Sequence, residues 1–354
     1  MTDPLTPRPV PLLTPDLPGT SGVLRVSEED FSVEELPLYE PSGAGEHLYL
    51  TVEKRGRTTP DVAEEIARRL GARERDVGTA GLKDRRALTV QRISVRSRAS
   101  PEEASKIEGP GFRVLAAARH GNKLRPGHLR GNRFRIVIRG VVPDALARAE
   151  AICARLRETG AANLFGPQRF GRSGDNAVLG RSILVRERQV SDRFLRRLAL
   201  SALQSELFNR CLSARIADAL FSTAIDGDVM KKRATGGLFV CEDPRADAER
   251  VAAGEIDPAG PLPGHSLFAA RGEAWRREQA VLSESAVDPQ WFAAGGGEMQ
   301  GARRPYRIAP GELRVAAAED GALAVSFALP NGSYAVSVLR EIAKTDVTEA
   351  DSAA

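Results

Sequence analysis

Stretches of alternating apolar and polar residues occur toward both ends of the chain, whereas the middle lacks this alternation. Residues 47–54 and 132–139 alternate as half-buried strands do, and similar patterns return from Arg303 onward. Between them lie a long helical pattern, Ser191–Ala219, and a region rich in Gly and Pro, residues 226–301, with few strong periods. This order predicts an α+β fold in which one domain is interrupted by an insertion.

Capping and turn residues predict the remaining elements. Thr59 is expected to cap a helix that has Pro60 in its first turn and that Gly71 ends. Ser191 is expected to cap the long helix. The other predicted strands are 76–80, 89–95 and 111–117, and the other predicted helices are 143–157 and 334–343.

Length and composition exclude several classes of protein. The 354 residues suggest about two domains. No run of about 18 apolar residues occurs, and the N-terminus lacks a charged region followed by an apolar block, so we expect neither a membrane span nor a signal peptide. The three cysteines are odd in number and form no CxxC pair, which argues against disulfides and a zinc site and favours a cytoplasmic protein.

The common motifs for cofactors and metals do not occur in the sequence. It contains no GxxxxGK[ST] loop, no strand-linked GxGxxG, no HExxH and no GxSxG. The four histidines, at positions 47, 120, 128 and 265, lack the spacing of metal ligands. We therefore expect no metal ion and no cofactor, and the sequence resembles neither an ATPase, a dehydrogenase nor a metallohydrolase.

A basic segment lies between residues 109 and 143, where eight Lys or Arg residues and no acidic residue occur. Its strand pattern has an apolar face and a basic face, made respectively of Phe134, Ile136 and Ile138 and of Arg133, Arg135 and Arg139. Such a surface is typical of a nucleic-acid footprint. An alternative is the base composition of the gene, because only seven of the 51 basic residues are Lys.

The candidate for catalysis is Asp84, in the Gly-rich turn GTAGLKDRRALTVQ at residues 78–91. Lys83, Arg85 and Arg86 adjoin it in the sequence, and cations favour the ionised form of a carboxylate. An ionised carboxylate can act as a nucleophile or as a base without a metal. The alternative is a solvated turn, in which Lys-Asp pairs are common.

Two further blocks combine rings, cations and amides, as sites for single-stranded RNA do. One is NLFGPQRFG at residues 163–171, with Gln168, Arg169 and Phe170; alternatively, its Phe side chains fill the core. The other is RHGNKLRPGHLRGNRFRIVIR at residues 119–139. There Asn132 could read a base edge, and Phe134 could stack on a base, although its periodicity favours packing.

Taken together, these blocks resemble the TruD family of tRNA pseudouridine synthases. The blocks that support the resemblance occur in order, and it extends over about residues 26 to 345. They are DFSVEELPLYEPSGAGEHLYLTVEKRGRTT (30–59), AGLKDRRALTVQ (80–91), RHGNKLRPGHLRGNRF (119–134), NLFGPQRFG (163–171) and LPNGSYAVSVLREI (329–342).

The resemblance implies a pseudouridine synthase catalytic core with a mixed, mainly antiparallel sheet, interrupted by the family's own α+β domain. We expect the catalytic domain at residues 1–158 and 305–354 and the inserted domain at 159–304. The implied reaction converts uridine to pseudouridine in tRNA, usually uridine 13 of the D-arm. No cofactor is implied, tRNA is the expected partner, and a cytoplasmic monomer is expected.

The resemblance also implies roles for individual residues. Asp84 matches the family's catalytic aspartate, and Phe31, Asn132 and Tyr334 match residues that line the pocket for the target uridine. Lys83 and Arg169 are further candidates, for steadying Asp84 or a nearby phosphate. The remaining candidates for substrate binding are Phe134, Gln168 and Phe170.

Two positions depart from the family pattern. Leu164 lies where an aromatic residue is common, which puts a stacking role of that position in doubt. Tyr334 replaces a frequent Phe but keeps the ring.

Two other functions stay open. One alternative function is a non-catalytic RNA-binding protein on the same scaffold, which predicts a replaced aspartate. The other is an RNA methyltransferase, which no Gly-rich cofactor loop supports.

Overall fold

The computed structural model describes residues 3–294 and 296–345, and it has an α+β fold. The strands, in chain order, are β1 (Val23–Leu24), β2 (Phe31–Pro37), β3 (His47–Lys54), β4 (Val77–Thr79), β5 (Leu88–Arg96), β6 (Glu108–Gly109), β7 (Phe112–His120), β8 (Leu129–Arg139), β9 (Ala161–Ala162), β10 (Val229–Lys232), β11 (Leu238–Val240), β12 (Ile256–Leu262), β13 (Ala302–Pro305), β14 (Arg307–Ile308), β15 (Gly311–Ala317) and β16 (Leu323–Pro330). The helices are α1 (Thr59–Arg69), α2 (Pro101–Ala104), α3 (Ala145–Thr159), α4 (Asn176–Leu184), α5 (Arg193–Ala217), α6 (Pro244–Ala252), α7 (Gly272–Glu284), α8 (Trp291–Ala294) and α9 (Val336–Ala343).

The chain forms two compact units. The large-sheet unit consists of the described parts of residues 16–158 and 310–354. The small-sheet unit consists of the described parts of residues 1–15 and 159–309. The last boundary, at 309/310, lies a few residues beyond the expected 304/305, because β13 pairs with β12 and β14 pairs with β9 inside the small-sheet unit. Residues 3–15 group with the small-sheet unit, whereas the sequence analysis placed them in one domain with residues 16–158.

The large-sheet unit is built on one mixed sheet with the strand order β15-β16-β8-β2-β5-β3-β7-β6. Strands β1 and β4 add to it by pairing with β8 and β5. The β2–β5 pairing is parallel and the other pairings are antiparallel, as expected. Strand β16, from the end of the chain, lies beside β8, so Phe327 faces Phe134 across the two strands.

One face of this sheet is packed against α1. Leu48, Leu50 and Val52 of β3 alternate onto that face and are fully buried, as their spacing predicts. The helix supplies Val62 and Ile66 to the same cluster. Burial of this apolar surface stabilises the strands that hold the candidate site.

Two helix starts differ from the sequence prediction. Thr58, and not Thr59, caps α1, because Thr58 and Asp61 form a reciprocal capping box. Asp192, and not Ser191, caps α5: its carboxylate accepts the N–H groups of Phe194 and Leu195. In both cases the observed cap has the side chain that reaches the free N–H groups of the first turn.

The small-sheet unit contains regular structure where few periods were expected. Its four-stranded sheet has the order β11-β10-β12-β13, and α6 and α7 occur in the same stretch of chain. Six of the seven residues of β12 are buried, including Pro258 and Pro261. A strand buried on both faces has no alternation, so this one could not be recognised by its period.

Candidate active site

Asp84 lies in the loop of residues 80–87, which joins β4 to β5 in the large-sheet unit. Exposure differs sharply between neighbours in this loop: Leu82 is 75% exposed, the Asp84 side chain is 47% exposed, and the Lys83 side chain between them is only 6% exposed. The Asp84 carboxylate is therefore open to solvent, while the residue before it points into the protein.

The cation beside Asp84 is Arg25, which is distant in the sequence. One of its Nη atoms lies 2.8 Å from Asp84 Oδ2, and its guanidinium covers the Phe31 ring at 4.0 Å from the ring centre. Arg25 adopts a positive φ of 57°, a conformation that non-glycine residues rarely adopt. One arginine thus connects two residues that the sequence analysis selected separately.

The cations next to Asp84 in the sequence have other partners. Lys83 Nζ lies 2.9 Å from Glu35 Oε2, and both of these side chains are buried. Arg85 Nε donates to the carbonyl oxygen of Gly56 at 3.1 Å. The Lys83 ammonium thus pairs with Glu35, while the Asp84 carboxylate pairs with Arg25.

Polar contacts hold the loop from its inner side. The Lys83 N–H donates to Thr59 Oγ1 at 3.0 Å, and the Thr59 hydroxyl donates to Gln91 Oε1 at 2.8 Å. Glu35 accepts the backbone N–H of Arg92 as well as the Lys83 ammonium. The loop is thereby connected to α1 and β5 through its backbone and to β2 through the Lys83 side chain.

Lys54, the last residue of β3, also contacts the loop. It is 1% exposed, and its ammonium donates to the carbonyl oxygens of Asp84 at 2.8 Å and of Lys83 at 3.4 Å. Burial lowers the pKa of Lys54 to about 8, against the opposing effect of the Asp84 carboxylate. The sequence analysis missed this residue, although it continues the core-facing series of Leu48, Leu50 and Val52.

The candidate pocket residues of the large-sheet unit lie on neighbouring strands. Phe31 and Phe134 are buried and pack edge to face, with ring centres 6.4 Å apart, and Phe134 stacks on Phe327 at 5.2 Å. Asn132 lies opposite Glu35 on β2, and its buried Oδ1 has no hydrogen-bond partner among the described residues. Tyr334 is 38% exposed and lies between β16 and α9.

The arginines of β8 are not equivalent. Arg133 pairs with Glu34 at 2.9 Å, and Arg139 pairs with Asp30 at 2.8 Å and thereby holds the pKa of that carboxyl below its usual value. Arg135 is exposed and forms no ion pair with any residue the structure describes. A segment without acidic residues thus acquires carboxylates from β2 and from the residue that precedes it.

Gln168, Arg169 and Phe170 belong to the small-sheet unit, in a 3-10 turn at Pro167–Phe170 that packs against α4 and α5. Phe170 is buried, as are Leu164 and Phe165 before the turn. Gln168 is exposed, and Arg169 Nε donates to Ser205 Oγ at 3.2 Å. The rings of this block therefore lie in the core, as the packing alternative predicts.

Two negative observations apply to residues 3–294 and 296–345. No group of three or more His, Cys, Asp and Glu side chains within them is arranged to hold a metal ion. None of their helices has the length and apolar character needed to cross a membrane.

Comparison with known proteins places these features in one family. A family model described as tRNA pseudouridine synthase D (TruD) matches residues 10–191 and 188–342. The chain is 52% identical to a tRNA pseudouridine synthase D of Anaeromyxobacter sp. (strain Fw109-5), over 96% of this chain and 98% of the relative. It is 44% identical to one of Thermus thermophilus, over 97% of this chain and 94% of the relative.

The fold has also been seen in a crystal structure. A chain from Methanosarcina mazei, described as a putative tRNA pseudouridine synthase D, superimposes with a TM-score of 0.79 at 24% identity, and the match covers 97% of each chain. This likeness supports the fold.

Proposed function

Because the chain belongs to the TruD family of tRNA pseudouridine synthases and isomerises uridine in tRNA, we propose that Asp84 is its catalytic residue and uridine 13 of the D-arm its target. The observation that supports this most directly is the Asp84 side chain, 47% exposed on a loop whose backbone is held from the inside. A solvated turn would not need such a support.

The reaction is an isomerisation, so it needs no oxidant and no carried group. The bond from C1′ to N1 breaks, the base turns, a bond from C1′ to C5 forms, and the proton on C5 is lost while N1 gains one. Asp84 can attack C1′ or C6, or it can act as the base that starts an elimination. Arg25 orients the carboxylate through their 2.8 Å ion pair.

The pocket for the flipped-out base is proposed to involve Phe31, Asn132 and Tyr334. Asn132 Oδ1 is a buried acceptor without a partner among the described residues, and the N3–H of uracil is a donor that would satisfy it. One face of the Phe31 ring is covered by Arg25. Uracil would therefore stack on the other face, or Arg25 would leave the ring when the base enters.

We propose that some of the other candidates support the structure from inside the protein and that others contact RNA at its surface. Lys83 holds the loop through Glu35, and the buried Phe134 and Phe170 fill the interior. Gln168 and Arg169 remain candidates for contact with RNA outside the uridine pocket. The exposed Arg135 is proposed to bind a phosphate, since phosphate contacts position RNA without reading its sequence.

The large-sheet unit is proposed to be the catalytic domain, because it contains Asp84 and the three pocket residues. The small-sheet unit then corresponds to the family's inserted domain. We further propose that the enzyme acts in the cytoplasm, as a monomer and without a cofactor.

The proposal is tested by mapping pseudouridine in tRNA from cells with and without this gene. We expect one position, uridine 13 of the D-arm, to lose its pseudouridine when the gene is absent. The purified protein should modify an unmodified tRNA transcript and fail when uridine 13 is replaced by cytidine. Pseudouridine at a different position in both experiments would contradict the choice of uridine 13.

A further inference from the structure

Lys54 is a charged residue at a position where the sheet otherwise places apolar side chains. It follows Leu48, Leu50 and Val52 along the same face of β3, and all four are buried. An ammonium removed from water destabilises a fold unless its donors are satisfied. A buried lysine therefore needs an explanation that a core leucine does not.

The contacts of Lys54 point to the loop of Asp84. Its ammonium donates to the backbone carbonyls of Asp84 and Lys83, and it forms no ion pair within the described residues. A buried ammonium without a counter-ion costs free energy that an apolar side chain of similar volume does not. Stability of the core alone would thus favour methionine or leucine at this position.

We propose that Lys54 is a positioning residue, which fixes the peptide groups of Lys83 and Asp84 and thereby aims the Asp84 carboxylate at the target uridine. This proposal rests on the proposed catalytic role of Asp84. Lys54 itself is 1% exposed and cannot touch the RNA in this structure. It supports the loop from below while the Asp84 side chain stays open to solvent.

The charge of Lys54 gives this role a dependence on pH. The carboxylates of Asp84 and Glu28 favour the ammonium, whereas burial and the Lys83 ammonium oppose it, and the resulting pKa is about 8. Above that pH the amine loses its charge and with it much of its attraction for the two carbonyls. The rate of isomerisation should therefore fall on the alkaline side, with a midpoint near the pKa of Lys54.

Deprotonation of Lys54 does not itself destabilise the fold at alkaline pH. The pKa of Lys54 is lowered from 10.5 to about 8 in the folded protein, so between these values the unfolded chain binds more protons than the folded one. The contribution of Lys54 to the free energy of unfolding then rises with pH through this window. A fall in rate at constant folded fraction thus distinguishes loop positioning from loss of the fold.

The test compares Lys54→Met and Lys54→Gln with the wild type and with the control Lys344→Met. Lys344 is another lysine whose pKa burial lowers; it is less deeply buried than Lys54, and it pairs with Glu341 at the end of α9. For each protein we would measure the single-turnover rate on a tRNA transcript, the tRNA Kd, the thermal midpoint, and the rate between about pH 6.5 and 8.5, a range that includes the pKa of Lys54.

We expect Lys54→Met to stay folded, to bind tRNA within about twofold of the wild type, and to lose at least about tenfold in rate, as displacement of a catalytic group does. Lys54→Gln keeps an uncharged donor and should retain more activity, without the alkaline decline. Lys344→Met should keep both the rate and the decline.

The Lys54 proposal is overturned if Lys54→Met keeps its rate, or if its loss matches its loss of folded protein. Should that variant fail to fold, a flat pH profile of the wild type would overturn the proposal. Failure of the proposed function would instead appear as a wild type that forms no pseudouridine.

Discussion

The loop of residues 80–87 and the block of residues 163–171 look similar in the sequence, because each combines glycine, basic residues and a side chain that could meet RNA. Their surroundings differ. The first leaves the Asp84 side chain exposed while Thr59 and Lys54 hold the loop backbone. The second turns Phe165 and Phe170 into the core. A short motif thus indicates candidate residues, and the fold determines whether their side chains reach solvent or fill the core.

Asp84→Asn tests whether the exposed carboxylate of the loop of residues 80–87 takes part in the reaction, and it should have the largest effect. Loss of the nucleophile or base should lower the single-turnover rate by at least about 10³-fold. The change is nearly isosteric and exposed, so the tRNA Kd and the thermal midpoint should stay close to those of the wild type. If the variant formed pseudouridine at a near-normal rate, Asp84 would not be the catalytic residue.

Phe170→Ala tests whether the rings of residues 163–171 serve to fill the core, and its effect should be on the free energy of unfolding. Removing a buried phenylalanine leaves a cavity, and the expected loss in the free energy of unfolding is about 3–5 kcal/mol. Urea denaturation monitored by circular dichroism measures it. Gln168→Ala, at an exposed position of the same turn, is the matched control and should change stability little.

Arg25→Gln examines what orients the carboxylate of the loop. The ion pair to Asp84 and the contact with Phe31 are both lost. We expect the rate to fall by about ten- to a hundredfold, because a misaimed catalytic group lowers the fraction of productive encounters. Unchanged single-turnover kinetics at saturating enzyme would mean that Asp84 needs no orienting partner.

The smallest expected effect is a difference in the salt dependence of tRNA binding between variants of Arg133 and Arg135, which lie two residues apart on β8. Arg135→Gln should weaken tRNA binding and lower the slope of log affinity against log salt by roughly 0.7 to 0.9, the value for one phosphate contact. Arg133→Gln should change the slope by less than half as much, since Arg133 is already paired with Glu34. Equal slopes in the two variants would contradict the distinction.

Sequence patterns predicted the local parts of this fold. Alternation identified β3 and the buried face of β8, and the spacing of Val62 and Ile66 identified the apolar stripe of α1. Pairing between distant strands is not encoded in such patterns. The sequence therefore could not establish that β16 returns to lie beside β8.

The same limit applies to the candidate site. The block around Asp84 could be selected from its residues, but its partner Arg25 lies 59 residues away and has no motif of its own. The acidic partners of Arg133 and Arg139 come from neighbouring elements of the fold. Lys54 did have a signal, namely a charge at a core-facing position of an otherwise apolar strand face.

The most direct test of the comparison is the single-turnover rate of Phe170→Ala on a tRNA transcript, measured below its unfolding transition and expressed per folded molecule. If the block of residues 163–171 serves to fill the core, this rate should lie within about twofold of the wild type, even though stability has fallen by several kcal/mol. A loss of tenfold or more in a folded protein would contradict the account, because Phe170 would then contribute to holding the RNA or to the reaction.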